Sequence, residues 1–379
     1  MEVDLDAIAA NVAAIAAHAK ADVIAVVKAD AYGHGAEAVS EAAVSAGAAL
    51  LAVATVEEGM ALRAAGIDAP VLVLLGAATR AEADAAIAAG LTSVVWDPER
   101  AELLAAAARA ARTRASVHFK VDTGLTRLGS LLDAAAANYR ETARLDGLQI
   151  DGAMTHYATA DDPDPAFAEE QSRRFAHFVD ALPSRPRWVH ASASAGAAVL
   201  GAGQGCNAVR PGIALYGIAP AAHLAGRIRL RPALTWRSAV LRVADVPAGT
   251  GVSYGHEYRL ERAGRIATIP VGYGDGLPRV FGRSGRVLVG GAALPLAGRV
   301  CMDLVMVDVT AQPGVREGDE VVLIGEQGDA ASSADDVAAA CGTISYEVLT
   351  NIRSRVPRRY VARGRVVATK TLVGGHARC

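Results

Sequence analysis

The sequence predicts an α/β chain: an N-terminal barrel of eight parallel strands alternating with helices, followed by a separate, mainly β domain. Three observations predict it. The chain has 379 residues, too many for one ordinary core and enough for a barrel of about 250 residues plus a smaller domain. Eight short apolar, largely β-branched runs alternate with Ala-rich helical stretches in residues 1–220. Beyond them, strands follow one another across Gly and Pro turns with little helix between.

Leu5, Ile8, Val12 and Ile15 keep helical spacing in the opening segment. The eight runs are 22–28, 49–53, 71–75, 91–95, 116–121, 148–154, 187–192 and 212–216. Each intervening helix covers the outer face of the strands and closure removes the sheet edges. A closed (β/α)8 barrel of the TIM type is therefore favoured over an open doubly wound sheet. The second domain reads as strands at 234–246, 265–271, 286–289, 305–309 and 320–324, with one helix at 334–340. The expected domains are 1–220 and 221–379.

Apolar residues make up 52% of the chain and aromatics 4%, so the core is filled by Ala, Val, Leu and Ile, as suits helices on a Val-rich sheet. The longest uncharged apolar run, 42–56, is interrupted by Ser45 and Gly47 and falls short of the roughly 18 residues of a membrane span. The start, MEVDLDAI, is acidic where a secretory leader is basic. A net charge of −2 with dispersed basic residues offers no footprint for nucleic acid or an anionic membrane. Cys206, Cys301, Cys341 and Cys379 form no CxxC pair and no metal-like cluster. The expectation is a cytoplasmic protein without a metal, acting on a small molecule.

In a parallel barrel the strand C-termini converge on one mouth, so side chains distant in sequence meet there. Lys28 closes the first run in AVVKADAYGHG (25–35), with Tyr32 four residues on. Lys120 closes the fifth in FKVDTGLTRLG (119–129), which also carries Arg127. His156 follows the sixth in THYATAD, Ser194 follows the seventh in HASASAG, and Arg210 precedes the eighth in VRPGIALYG, which holds Gly212 and Ile213.

Taken alone, Lys28 reads best as a solvated lysine. The functional reading is that an amine at an apolar mouth loses its proton more easily and can condense with an aldehyde. Asp122-Thr123-Gly124 matches the triplet of an aspartic protease, but that chemistry needs two carboxylates and no second triplet exists. GAGQG (201–205) and GYGDG (272–276) are not set between a strand and a long helix, and read as turns or close approaches to a ligand. In VSYGHEY (252–258), IPVGYGDG (269–276), GRVCMDLVMVDV (298–309) and ISYEVLTNIRSRVPR (344–358), single residues have structural readings. Tyr254 and Tyr273 fit half-buried strand aromatics, Met302 a core filler and Cys301 a small buried hydrophobe.

Taken together and in order from Lys28 to Arg358, these segments resemble alanine racemase. The resemblance implies a pyridoxal-phosphate enzyme with an eight-stranded barrel and a β domain, acting on alanine as a head-to-tail homodimer whose sites use both subunits. It implies that Lys28 carries the cofactor as an imine. Tyr32, Ser194, Gly212, Ile213 and Tyr346 surround its phosphate, Arg210 faces its pyridine nitrogen, and His156 lies beside Arg210. Tyr254, from the other subunit, is the second proton-transfer group.

Arg127 and the backbone of Met302 bind the substrate carboxylate by the same resemblance, with Tyr273 and Tyr346 crowding the pocket toward a methyl side chain. Lys120, often carbamylated in the family, orients Arg127, while Cys301 and Asp303 have a supporting role. An arginine at 210 also argues against the barrel-type amino-acid decarboxylases, which carry an acid there. Two departures stand out: Ala193-Ser194 replaces the family's Asn-Ser, removing a polar contact, and Gly274 replaces a commoner alanine in what reads as a conservative change. Two alternatives stay open: a serine or broad-specificity racemase, and a carrier that binds the cofactor without catalysis.

Overall fold

The structure is a computed structural model and describes residues 1–373 and the backbone of Ala377–Arg378. The chain divides into two compact units, Asp6–Pro232 and a second built from Met1–Leu5 and the chain from Ala233 onward.

In the first unit eight strands pair in parallel and close on themselves: β1 (Asp22–Val26), β2 (Leu50–Val53), β3 (Val71–Val73), β4 (Thr92–Val95), β5 (Ala115–Asp122), β6 (Leu148–Met154), β7 (Trp188–His190) and β8 (Ala208–Val209), with β8 hydrogen-bonded back to β1. Almost every residue of β1 to β4 is buried, as a parallel sheet covered on both faces requires. Side-chain caps start three of the outer helices. Thr55 and Glu58 form a reciprocal capping box on helix Val56–Ala64, as do Thr79 and Glu82 on helix Arg80–Ala88. Asp97 caps helix Pro98–Ala110, whose proline sits where no amide is needed.

The eighth strand differs from expectation. Residues 212–216 are not extended: Ile213–Tyr216 is a 3-10 turn, and β8 lies earlier, pairing with Asp22, Val23 and His190. The apolar run IALY is buried all the same, with the Tyr216 hydroxyl donating to the Val26 carbonyl at 2.8 Å and its ring against Tyr32 and His34. Arg210 therefore follows its strand.

The first compact unit runs on to Pro232, and a buried asparagine ties its last segment to the opening helix. The Asn11 amide donates to the Leu215 and Arg231 carbonyls, each at 2.9 Å, and accepts from the Arg231 amide at 2.8 Å.

In the second unit, Leu234–Ala239 and Arg242–Val246 are separate strands in different sheets. The larger sheet runs Ala292–Pro295, Arg286–Val289, Glu320–Gln327, Leu234–Ala239, Glu2–Asp4, Arg358–Ala362, Arg365–Lys370 and Ala377–Arg378, with Ala330–Ser332 paired to Glu320–Gln327. Glu2–Asp4 thus belongs to this unit, parallel to Arg358–Ala362. A second sheet joins Arg242–Val246, Gly264–Ile269 and Val305–Asp308. Helix Ala334–Cys341 starts on a Ser333–Asp336 capping box. Cys206, Cys301 and Cys341 are free thiols; Cys379 lies outside the described residues. Among the described residues no helix is long and apolar enough to cross a membrane.

Asn11→Leu removes the hydrogen bonds to the buried Leu215 carbonyl and to the part-buried Arg231 carbonyl and amide. It is expected to lower stability by about 2–4 kcal/mol, read as a lower urea midpoint with an unchanged slope.

Candidate active site

Each unit carries one cluster of the residues singled out in the sequence. In the barrel unit the cluster is built on Arg210, at the end of β8. Its side chain is buried, and the guanidinium makes five hydrogen bonds. Nη1 donates to the His190 carbonyl (2.9 Å) and meets His190 Nδ1 (2.6 Å). Nη2 donates to the carbonyls of Thr155 (2.7 Å) and Ala191 (2.9 Å) and meets His156 Nδ1 (3.1 Å). Burial lowers Arg210 to about 10, so it keeps its charge at neutrality.

A guanidinium can only donate, so the two imidazole Nδ1 atoms must accept. His190 then carries its proton on Nε2, which lies 2.8 Å from His118 Nδ1 and donates to it. Burial first, and the Arg210 charge second, hold His156 and His190 well below the ordinary histidine value. Burial brings His118 down to about 3. The positive charge of this group therefore rests on Arg210 rather than on His156. The sequence reading missed His118 and His190. Gly152 makes room for the former: a Cβ there would lie 2.4–2.6 Å from the His118 ring, and the strand register shifts between Val117 and His118.

Lys28 begins just past the end of β1, in a turn of unusual backbone. Ala29, Asp30, Ala31 and Tyr32 all have φ between 51° and 53°, a left-handed helical turn that costs L-residues about 1–2 kcal/mol each. Burial, then the Arg127 charge, lowers the Lys28 amine from its ordinary value, and Glu58 opposes them. Lys120, within β5 and buried, is lowered to about 8 by burial, then by Arg210 and Arg127.

Arg127 is exposed on a loop that the Asp122 carboxylate organises by accepting the amides of Gly124 (2.8 Å), Leu125 (2.9 Å) and Arg127 (3.1 Å). The Asp-Thr-Gly triplet thus shapes a loop.

Ser194, Tyr32 and Gly212 converge. The Ser194 hydroxyl oxygen accepts the amides of Gly212 (3.0 Å) and Ala214 (3.2 Å), leaving its own hydrogen to donate. A Cβ on Gly212 would sit 2.3 Å from the Tyr32 hydroxyl, which burial raises to about 12 and so keeps protonated. Ile213 opens the following 3-10 turn. Ala193 occupies the N-cap of helix Ser194–Leu200 and offers no capping side chain, which is the local cost of that departure.

In the second unit Ser253, Tyr254, Cys301, Met302, Asp303 and Leu304 line an open concavity, with Tyr254 70% and Met302 54% exposed. The Tyr273 amide donates to the Cys301 carbonyl (3.0 Å) and the Gly274 amide to the Met302 carbonyl (2.8 Å). Arg355 binds both Asp275 oxygens (2.7 and 2.9 Å) and Asp303 (2.8 Å), tying the Met302 turn to the 272–276 loop. A Cβ on Gly274 would lie 2.7 Å from Arg355 Nη2 and 2.9 Å from the Met302 carbonyl. Glycine for alanine is therefore not a neutral exchange here. Tyr346 is half-buried on helix Ser345–Thr350.

The alanine racemase N-terminal domain model matches residues 3–220, and the C-terminal domain model matches residues 233–360. The chain belongs to the alanine racemase family. It is 43% identical over 363 residues to an alanine racemase of Symbiobacterium thermophilum, covering 95% of this chain and 96% of that protein. A crystal structure of alanine racemase from Bacillus anthracis with bound L-Ala-P superposes with a TM-score of 0.89 at 35% identity, over 97% of this chain and 96% of that one. Alanine racemase from Streptomyces coelicolor gives 0.89 at 37%, over 96% and 97%.

The buried histidines give a stability prediction. Each is held neutral in the folded state and binds a proton on unfolding below the ordinary value of 6.5. The unfolded state then holds more protons, so stability falls as pH drops below about 6.5, and for His118 continues to fall down to about 3. His118→Asn is expected to reduce the slope of unfolding free energy against pH by about 1.4 kcal/mol per unit between these limits. Denaturant titrations of both proteins at several pH values check this.

Proposed function

We propose that the chain is a pyridoxal-phosphate-dependent alanine racemase that interconverts L- and D-alanine with two proton-transfer groups, Lys28 and Tyr254. The observation that carries this reading is a lysine with a lowered proton affinity at a barrel mouth whose fixed charge is a buried arginine. The residues present fit the cofactor. Lys28 offers an amine to its aldehyde, and the Ser194 and Tyr32 hydroxyls with the Gly212–Ile213 backbone offer donors for its phosphate. Arg210 offers a cation to its ring nitrogen. Tyr346 joins the phosphate group of residues by family resemblance.

Bound pyridoxal phosphate stabilises negative charge on an α-carbon that has lost its proton. The chain's own residues do the rest. Lys28 exchanges the proton on one face of that carbon and Tyr254 on the other, as inversion requires two flanking groups. A free phenol has a pKa of about 10, so Tyr254 needs a cationic neighbour to act as a base near neutrality, and the Arg210–His156 pair is suited to that. Because Arg210 only donates and keeps its charge, it disfavours a proton on the ring nitrogen and so weakens side reactions.

Arg127 and the Met302 backbone bind the substrate carboxylate, with Tyr273 bounding the pocket. Lys120, with a neutral fraction at physiological pH, is suited to carbamylation and to orienting Arg127. The exposure of Tyr254 and Met302 is what a shared site of a homodimer asks for. The protein is assigned to the cytoplasm.

Purified enzyme with added pyridoxal phosphate is expected to bring L-alanine or D-alanine to an equal mixture, with slower turnover of L-serine, in a chiral assay. Borohydride reduction is expected to fix the cofactor on Lys28. Lack of interconversion by unreduced, cofactor-loaded enzyme, in a preparation whose reduced portion carries the label on Lys28, would support the non-catalytic carrier instead. Tyr254→Phe is expected to lower both directions roughly 10²–10⁴-fold while the Lys28 label persists. Arg210→Glu is expected to raise transamination relative to racemisation, measured as pyruvate formed per turnover.

A further inference from the structure

The left-handed turn after Lys28 is closed internally by the Ala31 amide on the Val27 carbonyl (2.9 Å), the Gly33 amide on Ala29 (3.0 Å), the Gly35 amide on Asp30 (2.8 Å) and the Ala36 amide on the Asp30 carboxylate (2.9 Å). The Ala29 amide, belonging to the first peptide after the lysine, turns outward and donates to Glu58 Oε1 at 2.6 Å. The other oxygen of the same carboxylate accepts the amides of Ala54 (2.7 Å) and Thr55 (3.4 Å), just past the end of β2. One side chain thus links the lysine-bearing turn to the neighbouring strand end and caps its helix.

The charges facing the amine come from several elements. Arg127 on the loop after β5 is cationic and lowers the amine, Lys120 on β5 is itself lowered to about 8, His156 after β6 is held neutral, and Glu58 on helix Val56–Ala64 opposes the Arg127 charge. Resting on the reading of Lys28 as the cofactor lysine, we infer that Glu58 is a positioning residue. Its carboxylate fixes the peptide from which Lys28 projects and supplies the negative charge that faces the amine. A capping glutamate alone would affect only helix stability; one bonded to the peptide after Lys28 must also set the amine's position and proton affinity.

The test uses cofactor-stripped full-length enzyme and added pyridoxal phosphate. The rate of adduct formation is followed by absorbance from neutral to alkaline pH, and the label is mapped after borohydride. Glu58→Gln is expected to move the midpoint of the wild-type profile down by about half to one pH unit and to slow the plateau roughly tenfold. Glu58→Asp keeps the charge but not the reach, so its midpoint stays while its plateau falls. Thr55→Ala removes the other half of the capping box, whose hydroxyl accepts the Glu58 amide at 3.3 Å, and is expected to keep both midpoint and plateau.

Unchanged midpoint and plateau in Glu58→Gln would overturn the inference, as would an unchanged plateau in Glu58→Asp or the same shift in Thr55→Ala. A wild-type label found elsewhere than Lys28 would instead overturn the reading on which it rests.

Discussion

The barrel mouth depends on a cation that has no carboxylate beside it in its hydrogen-bond set. Burying a guanidinium costs several kcal/mol unless its donors are met, and the two terminal nitrogens of Arg210 find three backbone carbonyls and two imidazole nitrogens, the two Nη2 hydrogens being shared among three acceptors. Those acceptors come from the ends of β6 and β7, while the arginine itself follows β8, so one side chain fixes three neighbouring strand ends. Dipoles and neutral rings satisfy the donors without cancelling the charge. The field that remains helps hold Lys120, His156 and His190 in their less charged forms. A lysine could not replace it, since three hydrogens on one nitrogen cannot span the same fork.

Much of this was legible in the sequence. Continuous β-branched runs between Ala-rich helices gave a closed parallel barrel, and the run ending near Lys28 placed an amine at its mouth. The eighth strand was misplaced because IALY has a strand's composition and burial but follows Pro211-Gly212 and folds as a 3-10 turn. The tie made by Asn11 was invisible, since a buried amide serving carbonyls more than 200 residues away leaves no local pattern.

His118 and His190 were missed for a related reason. They sit within strands, where a histidine looks like filler, and their meaning comes from a contact between β5 and β7. Gly152 is the trace that contact leaves. Glu58 did leave a signal, in the Thr-x-x-Glu spacing at 55–58, but that spacing speaks only of a helix start. Gly274 read as conservative until the position of Arg355 showed what a methyl group there would meet.

If Arg210 organises the site as argued, its imidazole partners are neutral and fixed in one tautomer. The most direct measurement is a pH titration of ¹⁵N-histidine-labelled enzyme by NMR. His118, His156 and His190 are expected to stay neutral across the physiological range, with Nδ1 of His156 and His190 unprotonated and Nε2 bearing the hydrogen. A titration of any of them near the ordinary histidine value, or a proton on Nδ1 of His190, would contradict it.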